Sequence, residues 1–337
     1  MEELRKKRKQ QRAKLKSDSK IKECFHFDKE SCEGKIKDAH SLQKNGVLSL
    51  LEYEINKNKV VYSFSHRRLS GPMSFNGFES LGKKECSTFH GFCDYHDSIV
   101  FAPIENSEVN VQSDEHCFLL CYRAFAKEYH AKIEANKGFE NNEIYNQPQN
   151  KQMREEMLKG SELAIRDLKN VKNRLNSILE NKNYSDLDYF IYTLPYSVPI
   201  ACAASITPSY SYSGILLNKS EDFNDVYENI MVTVLPTLRQ THIIMGCFSD
   251  DKRSITYIDE LENLSEKKLE NAITSILIGD IENAFFSPLL WKRMVKRERE
   301  LLMNEISLTS PFSLSMIEEG FFLSRLNLFN MKYVNKE

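Results

Sequence analysis

CFHFDKESCEGKIKDAH, Cys24 to His40, and CSTFHGFCDYHD, Cys86 to Asp97, decide how this chain is read. The span from Cys24 to Asp97 holds four of the eight cysteines and five of the eight histidines. Its second stretch contains Cys93-x2-His96, a spacing that lets two side chains on one turn point at a single metal ion. The first stretch offers Cys24 and Cys32, with His26 able to replace Cys24 and Asp28 able to face the metal or to cap the turn. His40 is a further candidate. A set such as Cys24, Cys32, His40 and Cys93 or His96 would be a closed structural site with no place for a catalytic water.

Composition bounds what surrounds this module. With 337 residues and 41% hydrophobic content, the chain can bury a sizeable core, and two domains are the natural prior. The net charge is −2, but residues 1–22 carry ten Lys or Arg against three acids, which leaves −9 on the rest. No apolar region follows the basic N-terminus as in a secretory signal, and no run approaches the ~18 apolar residues of a membrane span. A soluble cytoplasmic protein is expected. There, clustered cysteines are metal ligands before they are disulfides.

Outward from the module, MEELRKKRKQQRAKLKSDSKIK (1–22) reads as a basic arm, suited either to releasing counterions from a nucleic acid or to keeping the chain soluble. Within 23–105, NKVVYSF reads as a strand, SLQKNGVLSLLEYE as a loop and brief helix, and Gly71–Gly91 as an extended loop. GFCDYHDSIVFAPIE reads as a turn presenting Cys93 and entering a short helix with His96 and Asp97. The segment 106–183 is expected to be a helical connector. An amphipathic helix runs over 114–138, with Asp114 as its cap and Gly138 as its stop. A polar linker, FENNEIYNQPQN, follows, and a second helix over 151–181 has Leu168, Val171, Leu175 and Ile178 on one seam. An antiparallel helical hairpin is the simplest packing of the two.

From 184 to 337 the pattern is that of an α+β domain. DYFIYTL, VPIACAASI, YSGILLN, ENIMVTVLP and THIIMGCFS read as an antiparallel or mixed sheet of four or five strands. LSEKKLENAITSILIGDIENAFF and LLWKRMVKRERELLMNEI read as helices, with a break at Ser287-Pro288. MIEEGFFLSRLNLFNMKYV is apolar enough to dock on the sheet or on a protein partner. The oligomeric state is not legible.

A Cys-bearing turn, a strand ending in Ala39-His40, a long insertion and a second turn running into a helix resemble the HNH endonuclease module, a ββα unit held by zinc. The resemblance rests on Cys24, Cys32, Asp38-Ala39-His40, Cys93-x2-His96 and Asp97. It implies an N-terminal zinc-bound ββα-like module in which Cys24, Cys32, Cys93 and His96 hold a structural zinc. His40 would be the general base, Asp97 would hold a catalytic Mg or Mn, and Asp38 or Asn45 would assist. The expected chemistry is phosphodiester hydrolysis of nucleic acid, DNA ahead of RNA, in a phage-defence or mobile-element setting. An imidazole with an ordinary pKa of about 6.5 is neutral enough to accept a proton at cellular pH. The alternative from another class is a non-catalytic, zinc-stabilised protein that binds nucleic acid or protein.

Overall fold

In the computed structural model, residues 17–64, 78–140, 151–218, 224–309 and 319–334 are described. Most of the basic arm (1–16), part of the glycine-bearing loop (71–77), most of the polar linker (141–150) and the start of the last apolar segment (316–318) lie outside them. In chain order the first elements are β1 (Ala39–His40), α1 (Val47–Leu51), β2 (Tyr53–Ile55), β3 (Asn58–Phe64), β4 (Phe78–Leu81) and β5 (Thr88–Phe89). Next come α2 (Asp94–Val100), α3 (Ala102–Glu105), α4 (Asp114–Glu140) and α5 (Lys151–Asn181). The remainder is β6 (Leu187–Leu194), β7 (Ile200–Ile206), β8 (Ile230–Pro236), β9 (Thr241–Phe248), α6 (Lys252–Glu262), α7 (Glu266–Gly279), β10 (Ala284–Phe286), α8 (Pro288–Arg293) and α9 (Lys296–Leu308). The chain is thus a mixed α+β protein with antiparallel sheets.

Two compact units interleave along the sequence: 1–39, 89–101 and 125–181 form the first, and 40–88, 102–124 and 182–337 the second. In the first, Phe25 is the centre of the packing. Its ring lies 6.0 Å from Phe92, 6.0 Å from Phe125 and 5.6 Å from Tyr129 in edge-on contacts. Leu168, Val171, Leu175 and Ile178 of α5 are all buried, as their spacing requires. Lys172, between them in sequence, lays its ammonium over Phe25 and Tyr129 at 5.0 and 4.9 Å. α4 begins under the hydroxyl of Ser113, which accepts the His116 N–H at 3.4 Å, so Ser113 rather than Asp114 supplies the cap. The helix also runs through Gly138 to Glu140, because a glycine in a packed helix costs only about 1 kcal/mol.

In the second unit, the strand order β2-β3-β10-β7-β8-β9-β6, with β4 also paired to β3, makes an eight-stranded antiparallel sheet. YSGILLN contributes only a bridge, Tyr210 to Leu216, at a turn. The sheet is wider than the sequence suggests because β2, β3 and β4 join it through β10, whose Phe285 and Phe286 face Ser63 and Tyr62. β10 itself corrects the expectation of one helix through AFF: α7 stops at Gly279, and Asn283 donates to Ala203 O at 2.7 Å and turns the chain into a strand. LLWKRMVKRERELLMNEI is likewise two helices, because the chain leaves helical geometry at Met294 and Val295.

Both faces of the central strands are covered, which is why they read as unbroken apolar runs rather than alternating ones. Ile200, Cys202, Val232, Val234, Ile243 and Met245 face the core made with Tyr257, Leu261, Leu269, Ile273 and Ile276 of α6 and α7. Leu328, Phe329 and Tyr333 of the C-terminal segment join this core. On the other face, Ala203, Met231 and Ile244 are equally buried. There Gly246 is required by packing, since a Cβ would stand 2.6 Å from Cys121 Sγ. The link from β6 to β7 skips two strands in five residues. Thr241, fully buried, fastens it by donating to Tyr196 O at 2.9 Å and accepting from Val198 N at 2.8 Å. No helix among the described residues is long and apolar enough to cross a membrane.

Candidate metal centre

The turn after Phe25 is built by short side chains bonding to nearby backbone. Asp28 accepts the N–H groups of Glu30 and Ser31, both at 3.1 Å, so it caps the turn rather than facing a cation. His26 Nδ1 accepts the Asp28 N–H at 3.1 Å. The chain then reverses at Gly34, whose φ is +75° and whose missing side chain leaves room for Asp94; a Cβ would lie 2.7 Å from Asp94 Oδ2. Asp94 N and Lys37 N donate to Lys35 O and Phe92 O at 3.0 and 2.9 Å, which brings the turn alongside Cys93. Cys93 is the residue preceding α2, and its sulfur accepts the His96 N–H at 3.4 Å. A single helical turn therefore aims both Cys93 and His96 at the incoming loop.

Cys24, Cys32, Cys93 and His96 meet there, with all four candidate ligand atoms within 4.8 Å of one another. His96 Nδ1 lies 3.5 Å from Cys24 Sγ, 3.6 Å from Cys32 Sγ and 3.2 Å from Cys93 Sγ. A tetrahedral ion with metal–sulfur bonds of about 2.3 Å and metal–nitrogen bonds of about 2.0–2.1 Å would set sulfur and nitrogen roughly 3.6 Å apart. The cluster can hold a metal ion, and its donor set and spacing are consistent with zinc. Cys24, Cys93 and His96 are buried, while Cys32 is on the solvent side.

The local electrostatics are those of thiols that need a cation. Desolvation and then the neighbouring Cys24 sulfur push Cys32 up to about 12, and burial raises Cys24. Cys93 goes the other way: burial opposes ionisation, but the His96 N–H and neighbouring thiols hold its thiolate below the ordinary value. His96 is held low, chiefly by desolvation, and so stays in the neutral form that binds metals. His26 stacks on the His96 ring at 3.9 Å and is itself lowered to about 4, by desolvation and then by the His96 charge. The His26 ring is thus a lid on one ligand and not a ligand.

The other residues singled out in the sequence fall elsewhere. Asp38 pairs with His90, Oδ1 to Nε2, at 2.8 Å. His40, at the end of β1, is outside the ligand set and belongs to the second compact unit, whereas Asp97 belongs to the first. Among the described residues, no other group of three or more His, Cys, Asp or Glu side chains is close enough to hold a metal. Cys117, Cys121, Cys202 and Cys247 are buried in the second unit, each with its thiol raised by desolvation.

The part played by His130 leaves no trace in residue spacing. His130 is buried, and its Nε2 lies 3.2 Å from Ile21 O and 3.1 Å from His90 O. Two carbonyls can be satisfied only by a protonated Nε2, so the ring donates to both and pins the segments leading into both ligand pairs. Only its placement on the buried stripe of α4 could have flagged it. Compared with protein-family models, curated proteins and solved structures, the chain matches none of them.

Proposed function

We propose that Cys24, Cys32, Cys93 and His96 hold a structural zinc ion and that the module around it is a ββα unit of HNH type that cleaves nucleic acid. The observation that supports this reading is the ligand set itself. It closes on the two outer pairs and leaves His40 and Asp97 outside. β1 and β5 pair, and α2 follows them, in the strand, strand, helix order of such a module. A four-ligand zinc supplies folding energy and no open position, so catalysis would fall to side chains outside it. In this role His40 accepts the proton of the attacking water, and Asp97 is the position for the catalytic Mg or Mn that neutralises charge at the phosphate.

A second reading is favoured by the fate of Asp38. Its carboxylate is paired with His90, which leaves it engaged away from the role of an assistant to His40. A protein with only the closed centre would bind nucleic acid or protein without cutting it.

Metal content and cleavage, measured together, separate the two. Zinc should be near one per chain, fall in Cys93→Ser and survive in His40→Ala. Magnesium- or manganese-dependent cleavage of DNA should drop by about 10²–10⁴-fold in His40→Ala and in Asp97→Ala, the range of a lost general acid or base. Zinc retained by all but Cys93→Ser, with no cleavage by the unmodified chain, leaves the binding reading. Zinc lost in His40→Ala removes both the ligand set and the catalytic role.

A further inference from the structure

The eight-stranded sheet of the second unit ends at β6. Among the described residues, the only strand neighbour of β6 is β9, in a one-to-one register from Leu187 opposite Phe248 to Leu194 opposite Thr241, with no bulge. Asp186 accepts the Ser249 N–H at 3.2 Å one step before that ladder starts. Antiparallel bonding alternates, so Asp188, Phe190, Tyr192 and Leu194 bond to β9, and Leu187, Tyr189, Ile191 and Thr193 turn their backbone groups away from it. The Leu187 N–H is taken by Tyr184 O. The Leu187 C=O and both backbone groups of Tyr189, Ile191 and Thr193 have no protein partner among the described residues.

β6 carries none of the devices that keep such an edge single. The opposite end of the sheet finishes in β2 and β4, of three and four residues, whereas β6 has eight. It contains no Lys, Arg or Pro; its one charge is Asp188, near its start, and Pro195 follows its last residue. Asp188 and Thr193 are exposed and Tyr189, Ile191 and Tyr192 half-buried, so the strip is open to solvent.

We propose that β6 pairs with β6 of a second copy of this chain, antiparallel about a twofold axis at Phe190, so that two sheets become one. In this register Tyr189 and Ile191 of the other copy exchange a pair of hydrogen bonds, symmetry repeats the exchange, and the Thr193 N–H meets the Leu187 C=O across the axis. The side chains agree with the backbone. Asp188 stands opposite Tyr192 of the other copy, whose hydroxyl stays protonated, pushed up to about 12 by desolvation and then by Glu270 and Glu266, so a carboxylate meets a donor. An axis at Asp188 would oppose two carboxylates, and one at Tyr189 or Ile191 would set Asp188 against the apolar Phe190 or Leu194. Tyr189 against Ile191 is an aromatic and β-branched pair of the kind that stabilises antiparallel strands. Such an isologous contact uses up the long edge of both copies and leaves the short ones outermost, so association closes at two. It is independent of the metal centre and of the nucleic-acid reading.

The test is sedimentation of the full chain over a concentration series, with hydrogen exchange at both ends of the series. The mass should rise to twice the 39.2 kDa of one chain. The amides of Tyr189, Ile191 and Thr193 should gain protection from dilute to concentrated protein, while those of Phe190 and Tyr192, already bonded to β9, should change little. Ile191→Pro removes an N–H that points away from β9 and leaves the ladder with β9 whole, so it should keep its circular dichroism and stay monomeric at the top of the series. Ile191→Lys keeps every backbone group and sets a charge against Tyr189 of the other copy; it should move association to higher concentration, and it covers the case of a proline that disturbs folding. Single-chain mass of the unmodified protein throughout the series would overturn the proposal and leave the edge to an extended strand from another protein. A dimer that persists in both variants, with the β6 amides unprotected, would also overturn it by placing the contact on another surface.

Discussion

Gly34 shows how much of the metal centre depends on one backbone angle. Cys32 can reach the other three ligands only because the chain turns back at Gly34 with φ +75°, in contact with Asp94 on the opposite loop. An alanine there meets two penalties, a left-handed conformation at about 1–2 kcal/mol and a collision with the Asp94 carboxylate. Folding of the turn and capture of the metal are one process, so that cost appears as weaker metal binding. Gly34→Ala should therefore release zinc to a competing chelator roughly tenfold faster than the unmodified chain, since 1.4 kcal/mol is a factor of ten. Release at an unchanged rate would mean that the turn relaxes without moving Cys32.

At the scale of elements, His130 ties α4 to the backbone at Ile21 and His90 in the first unit. Burial holds its imidazole below the ordinary value, against the opposing pull of the Glu134 carboxylate 3.8 Å from Nδ1, with Lys127 reinforcing the depression. The unfolded chain, with an ordinary histidine, binds the extra proton first as pH falls below about 6.5. The stabilising contribution is thus complete above 6.5 and is lost as pH falls from there through the lower folded value. A metal held by Cys24, Cys32, Cys93 and His96 would be lost to protons in the same direction, so the informative quantity is a difference: the melting temperature of His130→Gln should fall less steeply below pH 6.5 than that of the unmodified protein. Parallel curves would show that His130 does not titrate in that range. Elements with long periods were legible in the sequence. The seam of α5 and the apolar runs of β7, β8 and β9 follow directly from residue spacing, and the Cys93-x2-His96 spacing brings its two side chains together because one helical turn fixes them. β10 was not legible, since three residues cannot display an alternation and its identity as a strand comes from Asn283 and from partners far away in sequence. Asp28 was ambiguous for a related reason: whether a polar side chain bonds to its own turn or across to another group is settled by tertiary contact, and spacing carries no record of it.

For the whole molecule, the interleaving of two units sets what the metal can stabilise. The first unit is assembled from separated stretches, 1–39, 89–101 and 125–181, and the four ligands join the first of these to the second. Joining stretches so far apart carries a loop-closure cost that the rings around Phe25, the buried seam of α5 and the His130 hydrogen bonds must otherwise meet. The second unit has a continuous antiparallel sheet covered on both faces, with Thr241, Asn283 and the buried Glu305 securing its links. Removing the metal should therefore act on one unit and spare the other. Hydrogen exchange after chelation should show amides of 24–37 and 89–100 losing protection, while those of β7, β8 and β9 keep theirs. Should the central strands lose protection to the same extent, the centre would belong to a single cooperative fold and the division into units would carry no energetic meaning. Recovery of protection on adding zinc, but not magnesium, would tie the effect to the Cys24, Cys32, Cys93 and His96 set, because three thiolates and an imidazole discriminate strongly against a hard cation.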